Sequence, residues 1–194
     1  MSEKLTPHLL LNAYAQGYFP MAVETGEIMW FSPNPRAVFD LDNFHVPRTL
    51  RQLYRQKRFE LTVDRCFPEV IAACADRPEG TWINPEIHES YCRLHELGHA
   101  HSVETWRDGE LVGGLYGVAL AGAFFGESMF SRVSNASKVA LVYLVERLRA
   151  GGFVLLDTQF TNEHLEQFQP VEIPRKEYLR RLAVALEQPA VLTE

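Results

Sequence analysis

Cysteine is scarce in this sequence, and its spacing fits neither a disulfide framework nor a metal site. The 194 residues contain three cysteines, Cys66, Cys74 and Cys92, and no two of them form a C-x-x-C pair. An odd number of cysteines without such a pair argues for free thiols in a reducing compartment. We therefore expect a cytoplasmic protein without a zinc ribbon.

Long hydrophobic runs are missing as well. The first 21 residues, MSEKLTPHLLLNAYAQGYFPM, lack the basic segment and the long apolar segment of a secretion signal. No apolar run approaches the roughly 20 residues that a membrane-spanning helix needs. The sequence thus predicts a protein that is neither exported nor inserted into a membrane.

Three common nucleotide-binding or catalytic motifs are absent from the sequence. There is no G-x-G-x-x-G after a strand, no G-x-x-x-x-G-K-[ST], and no nucleophile in a G-x-S-x-G turn. A dinucleotide-binding fold and a P-loop are therefore unsupported, and so is a hydrolase with a nucleophile elbow.

The net charge of −6 argues, taken as a whole, against a nucleic-acid partner. One segment differs, because RTLRQLYRQKR, from Arg48 to Arg58, holds five cations and no acid. Read as a helix, it places Arg48, Arg51, Arg55 and Arg58 on one stripe, opposite its leucines. The stripe is either a contact for nucleic-acid phosphates or an ordinary solvated helix face.

The composition is globular, with 46% hydrophobic and 23% charged residues, and its periodicity predicts both helices and strands. Helical patterns cover residues 7–16, 66–76 and 85–97, and FELTV at 59–63 alternates like a strand. Residues 101–131 predict a three-stranded meander with a first turn at Asp108-Gly109.

The second half of the chain predicts how this meander is completed. Residues 135–149 are apolar on almost every side, which indicates a deeply buried helix. GFVLLDTQ then predicts a buried strand, and EYLRRLAVALEQ a closing helix, so the pattern indicates an α+β or mixed α/β domain. The proline-containing segment IMWFSPNPRAVFDL is the candidate boundary, with a small subdomain at residues 1–34 and the main domain at 35–194.

The segment HELGH, from His95 to His99, matches the H-E-x-x-H pattern of zinc metallopeptidases. In that pattern a continuous helix aims two imidazoles at one metal ion. Here Gly98 precedes the second histidine and a strand pattern begins at His101, so the helix should end too early. We prefer histidines with local hydrogen bonds and keep a zinc metallopeptidase as a minor alternative.

Four other positions are candidates for a site. Asp157 and Gln159 lie two residues apart at the end of a predicted strand, where side chains at i and i+2 share a face. Glu127 lies among aromatic residues, where a buried carboxylate needs a cation of the protein or of a substrate. Trp82 precedes a predicted helix and is either a stacking platform or a core residue.

Long motifs in this chain resemble those of one bacterial enzyme family. They are AYAQGYFPM, WFSPNPRAV, DRPEGTWI, RLHELGHAHSVETW, GELVGGLYGVALAGAFFGESMFSRVSNASK, GFVLLDTQ and EIPRKEYL, and they extend from about Leu9 to Leu182. Together they resemble the leucyl/phenylalanyl-tRNA–protein transferases, in which the histidine run carries no zinc.

The resemblance implies an aminoacyltransferase. Such an enzyme moves Leu, Phe or, less well, Met from aminoacyl-tRNA to proteins that begin with Arg or Lys and so marks them for degradation through the N-degron route. The fold it implies is an acetyltransferase-like α+β domain after a small N-terminal subdomain. We expect no metal, no cofactor, no membrane partner and a monomer. RVSNAS stands where acetyltransferases carry a glycine-rich R/Q-x-x-G-x-G/A loop, which argues against acetyl-CoA.

Residue roles also follow from the resemblance. Asp157 and Gln159 take the catalytic positions, with Asp157 orienting or deprotonating the acceptor amine directly or through Gln159. Glu127 would meet the cationic side chain of the acceptor, and Trp82 and Met21 would stack on the terminal adenosine. The arginine stripe would contact the tRNA backbone. The implied pocket for the amino-acid side chain consists of Leu115, Phe124, Gly126, Leu141, Leu144 and Leu156.

One segment departs from the family pattern. After His164 relatives tend to read HLxSxGAxxIPR, whereas this chain reads HLEQFQPVEIPR. Proline fixes φ and the glutamines add bulk, so we expect an altered loop beside Asp157 and Gln159. Acceptor choice therefore stays open. The alternatives are an acyltransferase of the same fold with another acceptor or with acetyl-CoA as donor, and a tRNA-binding module without activity.

Overall fold

The computed structural model describes residues 4–78 and 80–192 and has an α+β fold, which confirms the expected class. Its strands are β1 (Phe19–Ala22), β2 (Ile28–Phe31), β3 (Arg36–Phe39), β4 (Glu60–Val63), β5 (Ala100–Arg107), β6 (Glu110–Leu120), β7 (Ala123–Ser131), β8 (Leu155–Gln159) and β9 (Val171–Ile173). Its helices are α1 (Pro7–Ala15), α2 (Arg48–Arg55), α3 (Phe67–Ala75), α4 (Pro85–Glu96), α5 (Ala136–Ala150), α6 (Glu163–Glu166) and α7 (Arg175–Leu186). Within the described residues, no helix has the length and apolar character needed to cross a bilayer.

Seven strands form one sheet in the order β4-β5-β6-β7-β8-β3-β9, and β1 pairs with β2 in a separate sheet. Neighbours in the large sheet are antiparallel except for β7 and β8, which run parallel. A parallel pair needs a crossover connection, and the buried helix α5 provides it. The predicted meander β5-β6-β7, the buried helix and the returning strand β8 are therefore confirmed.

The parallel pairing between β7 and β8 is short. It runs from Ala123 opposite Leu155 to Phe125 opposite Asp157, although β7 itself continues to Ser131. From Gly126 onward, β7 pairs with β6 but no longer with β8. The two strands therefore separate, and a cavity lies at this separation.

An apolar core covers each face of the large sheet. One core includes Leu10, Phe67 and Leu94, from α1, α3 and α4. The other includes Leu50 of α2 and Leu144 of α5. Successive strand residues alternate between the two cores, as the pleat of a strand requires. Tyr116 of β6 and Leu155 of β8 belong to the first core, and their neighbours Leu115 and Leu156 belong to the second.

Local sequence explains where two of the helices begin. The side chains of Thr6 and Asn84 accept the backbone N–H groups of Leu9 and Ile87, and a proline follows each cap. Such caps satisfy donors that have no partner within the helix, and proline at the next position has no N–H to satisfy. Both predicted helix starts are confirmed.

Helix α2 is shorter than the sequence predicts. The arginine stripe was expected on one helix through Arg58, but α2 ends at Arg55. Lys57 adopts a φ of 49°, the left-handed conformation that commonly terminates helices. Arg58 therefore lies beyond the helix, and its placement on the helical stripe was wrong.

The N-terminal segment shares a core with the main sheet. Leu10 and Tyr14 of α1 belong to the same apolar cluster as Tyr116 of β6 and Phe125 of β7. The division between residues 1–34 and 35–194 stays a prediction.

Candidate functional site

A cavity of about 550 Å³ opens where β7 separates from β8. Its wall combines residues of the sheet and of α5 with the loop after β8, and it includes Met21 and Trp82. The cavity is the candidate site because it brings together residues that lie far apart in the sequence and that the motifs single out.

The apolar part of the wall comes from the sheet and from α5. It contains five of the six residues expected to hold an apolar side chain, namely Leu115, Gly126, Leu141, Leu144 and Leu156. Phe124 does not line the cavity. Its side chain is fully buried and packs edge-on against Phe153, so it supports the wall without forming its surface. Phe39 and Met129 also line the cavity and were not predicted.

Met21 and Trp82, the two expected stacking residues, both lie in the cavity wall. The backbone N–H of Ala22 donates to the Trp82 carbonyl at 3.1 Å, which fixes β1 beside the tryptophan loop. Both side chains are partly exposed, so a planar group that enters the cavity can reach them. The geometry is compatible with stacking on a nucleobase.

Glu127 and Gln159 carry polar chemistry into the cavity. Both line its wall, and Gln159 Nε2 donates to Glu127 Oε1 at 2.8 Å. The Tyr14 hydroxyl donates to the same oxygen at 2.6 Å, and the Tyr91 hydroxyl donates to Oε2 at 3.3 Å. Burial raises the pKa of Glu127 to about 8, although the tyrosine hydrogen bonds act in the opposite direction.

The sequence predicts a cationic partner for a buried Glu127. Among residues 4–78 and 80–192, no cation forms an ion pair with it, and its partners are two hydroxyls and an amide. Burial and the charge of Glu127 raise the pKa of both Tyr14 and Tyr91, so these tyrosines remain hydroxyl donors. Hydrogen bonds from Tyr14, Tyr91 and Gln159 thus stand where the sequence predicts a cation.

Asp157 lies outside the cavity wall, because it is fully buried against Arg36. Arg36 Nε lies 2.9 Å from Asp157 Oδ1, and Arg36 Nη2 lies 2.6 Å from Oδ2. The Tyr178 hydroxyl donates to Oδ2 at 2.7 Å, and its ring lies under the guanidinium at 4.5 Å. The carboxylate is thus fully occupied by protein partners.

The two polar side chains at the end of β8 point in different directions, unlike the expected shared face. Side chains at i and i+2 share a face only in extended backbone, and Gln159 has a left-handed φ of 65°. Its amide turns to Glu127, while the carboxylate of Asp157 faces Arg36. The two residues are nevertheless connected, because the backbone N–H of Gln159 donates to Asp157 Oδ1 at 2.8 Å.

The loop after β8 forms one side of the cavity through Asn162, His164 and Leu165. Gln167 belongs to the segment that departs from the family pattern, and its Nε2 donates to the His164 carbonyl at 2.8 Å. Gln167 is absent from the cavity wall. The departure from the family pattern thus reaches the site through the backbone that carries His164.

The arginine stripe lies away from the cavity. Arg48, Arg51 and Arg55 are exposed on α2, and Arg58 is exposed just beyond it. The opposite side of α2 is anchored by Leu50, which is buried in the core beside α5. The stripe is exposed to solvent and contributes no residue to the cavity wall.

The HELGH segment does not form a zinc site. Helix α4 ends at Glu96, so His95 and His99 do not share one helix. His95 Nδ1 lies 2.8 Å from the Ala100 carbonyl oxygen, and its ring stacks on Phe67 with centroids 4.5 Å apart. Within the part of the chain that the structure describes, no three metal-ligating side chains are placed to hold an ion.

Sequence reasoning missed Arg36, Tyr178, Tyr14 and Tyr91. A signal for Arg36 was available, since a lone arginine within an apolar strand must find a buried anion. The tyrosines gave no comparable signal, because a tyrosine on the apolar face of a helix is ordinarily a core residue.

Comparison with known proteins gives concordant matches along the chain. The sequence model described as "Leucyl/phenylalanyl-tRNA protein transferase" matches residues 38–183. A second model, described as the N-terminal domain of the same enzyme, matches residues 3–34.

Individual relatives are similar over nearly the whole chain. A leucyl/phenylalanyl-tRNA–protein transferase of Gloeobacter violaceus is 62% identical over 190 residues, which cover 97% of this chain and 98% of that protein. Proteins of the same name from Salinibacter ruber and Akkermansia muciniphila are 57% and 55% identical, over 96% and 97% of this chain and 83% and 100% of theirs. A solved protein of unknown function from Bacteroides thetaiotaomicron shares the fold, with a TM-score of 0.52 and 16% identity. That match covers 73% of this chain and 58% of the other.

Proposed function

We propose that this chain, which belongs to the leucyl/phenylalanyl-tRNA protein transferase family, transfers Leu, Phe and, less well, Met from aminoacyl-tRNA to the N-terminal Arg or Lys of acceptor proteins. The modified proteins would then be degraded through the N-degron route. The observation that carries the proposal is a single cavity with an apolar wall, a tryptophan and a carboxylate–amide pair.

The donor amino acid would occupy the apolar part of the cavity, between the sheet and α5. Leu115, Leu141, Leu144 and Leu156 present only hydrocarbon there, so they select by size and shape. One methylene more or less in such a pocket changes binding by about 1–3 kcal/mol, which permits Leu, Phe and Met to share it.

The tRNA would be held at two places. Trp82 and Met21 would stack on its terminal adenosine in the cavity, and the arginines of α2 would contact backbone phosphates farther away. Met21 offers less stacking surface than an aromatic side chain, so Trp82 should dominate.

The acceptor would enter beside Glu127 and Gln159. An aminoacyl ester is already activated, so attack by an amine requires alignment, a neutral amine and stabilisation of the developing oxyanion, but no enzyme nucleophile. Gln159 would contact the amine. Asp157 would act through Gln159, since its carboxylate holds the Gln159 backbone and does not reach the cavity.

We extend the proposal to the setting of the reaction. The enzyme would work in the cytoplasm as a monomer, without metal, cofactor or membrane partner, and with its small subdomain at residues 1–34. Free cysteines and the absence of nucleotide-binding motifs support this setting. Transfer of labelled Leu from Leu-tRNA to a peptide that begins with Arg tests the proposed function.

A further inference from the structure

The cavity has two chemically different sides, because its wall draws on both faces of the large sheet. The leucines of the wall belong to the core that includes α5. Met21 and Trp82 pack against the other core, which includes residues of α1, α3 and α4. Two arginines, Arg77 and Arg132, also line the cavity, and the role of their cationic groups depends on which side they occupy.

Arg77 follows α3 and is held against β7 by three hydrogen bonds. Its Nε donates to the Cys74 carbonyl at 3.1 Å, and its Nη2 donates to Ser128 Oγ at 2.8 Å and to the Met129 carbonyl at 3.3 Å. An arginine has five N–H donors, so the two N–H groups of Nη1 take no part in these bonds. The guanidinium is therefore fixed in place and retains donors for a ligand.

Arg132 follows β7 and is also anchored to the backbone. Its Nη1 donates to the Leu111 carbonyl at 3.0 Å, and its guanidinium carbon lies 5.5 Å from the centre of the Phe130 ring. Both arginines are exposed to solvent. Asp76 lines the same cavity, but among residues 4–78 and 80–192 neither arginine forms an ion pair with an acid.

The two arginines lie on the same face of β7. Ser128 and Phe130, which they contact, are two residues apart in an extended strand, and side chains at such positions share a face. These positions are about 7 Å apart along the strand. Phe130 packs against the same core as Met21 and Trp82, whereas Met129 between them packs against the core beside α5. The cationic groups are therefore on the side of the cavity that carries the tryptophan.

We propose that Arg77 and Arg132 together bind the 5′-phosphate of the terminal adenosine of aminoacyl-tRNA. The inference rests on the proposed function and deepens it, because it identifies a phosphate-binding subsite within the donor site. Both arginines are separate from the arginine stripe, none of whose residues lines the cavity. The stripe would contact the tRNA backbone farther away, whereas this subsite would act on the nucleotide that carries the amino acid.

The chemistry of the donor places an anion on this side of the cavity. In an aminoacyl-tRNA the amino acid is esterified to the ribose of the terminal adenosine, and the RNA chain continues through a phosphodiester at the opposite end of that ribose. With the amino-acid side chain among the leucines and the adenine beside Trp82, the phosphodiester would leave the cavity on the Trp82 side. Its two unesterified oxygens share one negative charge, which suits the paired N–H donors of a guanidinium.

The acceptor does not supply this anion. A protein that begins with Arg or Lys brings an α-amine and a cationic side chain, and like charges next to one another are disfavoured. Arg77 and Arg132 would therefore favour the donor on their side of the cavity and keep the acceptor N-terminus away from it.

Calorimetric titration with two non-hydrolysable donor analogues tests the proposal. Both analogues carry leucine linked to adenosine through an amide; one has a free 5′-hydroxyl, and the other a 5′-methyl phosphate with the single negative charge of a phosphodiester. Wild type should bind the phosphate analogue at least about tenfold more tightly, because hydrogen bonds to charged groups are stronger than neutral ones. This gain in affinity should shrink as the salt concentration rises, because exposed charges are screened.

Arginine variants show which residues produce the gain. Arg77→Gln and Arg132→Gln should each reduce it, and the double variant should bind the two analogues with nearly equal affinity. Arg132→Gln removes only one hydrogen bond to the protein, so it disturbs the fold less than Arg77→Gln. Arg149→Gln is the matched control and should keep the wild-type gain, because Arg149 is also exposed and bonded to backbone carbonyls, those of Leu41 and Asp42, outside the cavity wall.

The hydroxyl analogue reports whether the cavity itself is intact. Every variant should bind it within about twofold of wild type, since it has no phosphate to lose. A gain that persists in the double variant would overturn the proposal. So would a double variant that loses affinity for both analogues alike, because the arginines would then maintain the cavity without binding phosphate. If wild type binds both analogues equally, the subsite is refuted while the proposed function stands; if it binds neither, the proposed function fails as well.

Discussion

Arg36 and Asp157 form a bidentate ion pair in which both side chains are fully buried. The pair joins β3 to β8 two residues before Gln159, at which β8 ends. Burial alone lowers the pKa of Arg36, but the hydrogen bonds and charge of Asp157 outweigh it and raise the pKa. The ion pair therefore links β3 to β8 beside Gln159 while contributing no surface to the cavity.

Asp157→Asn should destabilise the protein and slow the transfer. Removal of one charge leaves the Arg36 guanidinium buried without its counter-ion, which costs about 3–5 kcal/mol of unfolding free energy. Urea denaturation measures this loss. We propose that Asp157 acts through Gln159 and does not itself take the proton, so the loss in kcat should be equal at all pH values. A deficit that narrows as pH rises would instead mean that Asp157 handles the proton.

Glu127→Gln should make the folded state more stable at alkaline pH. The pKa of Glu127 is about 8 in the folded protein, against an ordinary value of 4.5, so the folded state binds this proton more tightly than the unfolded chain. Ionisation of the buried Glu127 therefore destabilises the folded wild-type protein. This loss of unfolding free energy is absent below pH 4.5, grows between pH 4.5 and about pH 8, and is complete above about pH 8. Water in the cavity limits it to about 2 kcal/mol. Melting curves of both proteins at pH 5 and pH 9 measure it. If the melting temperatures of wild type and Glu127→Gln changed by the same amount between pH 5 and pH 9, the raised pKa of Glu127 would be contradicted.

Neutralising Arg51 and Arg55 should flatten the salt dependence of tRNA binding. Each phosphate that an arginine no longer neutralises reduces the slope of log Kd against log salt by somewhat less than one. Filter binding of Leu-tRNA at several salt concentrations measures the slope for Arg51→Gln/Arg55→Gln. The matched control is Arg180→Gln, an exposed arginine on α7 that pairs with Glu177 and should leave the slope unchanged. An unchanged slope in the double variant would reject the proposed role of these arginines.

Trp82→Ala should weaken binding of a non-hydrolysable leucyl-adenosine analogue by about 1–3 kcal/mol, the usual value of one base stacked on an aromatic ring. Met21→Trp should strengthen binding, because Met21 lies in the same wall and an indole there adds a second stacking surface. Calorimetric titration of Trp82→Ala and of Met21→Trp with the analogue measures both changes in affinity. An analogue that binds Trp82→Ala as tightly as wild type would place the adenosine elsewhere.

The regular elements were predictable from the sequence where periodicity and turn residues agreed. The meander, the buried α5 and the strand β8 follow from apolar patterns of clear period. The short elements β1, β9 and α6 were not predicted, because segments of three or four residues carry too little pattern. The early end of α2 was not predictable, because lysine seldom adopts the left-handed conformation that Lys57 has here.

The sequence predicted several of the residues that form the site but not where their side chains point. Motifs singled out Glu127 and Gln159, which do meet in the cavity. They could not show that Asp157 turns away, because the positive φ of Gln159 breaks the alternation on which the expectation depended. Hydrogen bonds among Tyr14, Tyr91 and Glu127 join α1, α4 and β7, three elements far apart in the chain, and only the folded structure brings them together.

The most direct measurement is transfer of radiolabelled Leu from Leu-tRNA to three matched peptides that begin with Arg, Lys or Asp, in the presence of a metal chelator. We expect label in the Arg and Lys peptides, none in the Asp peptide, and no effect of the chelator. Leu-tRNA that binds without labelling any peptide would mean a binding module, and activity that the chelator abolishes would mean a metal-dependent reaction; either result would contradict the proposed function.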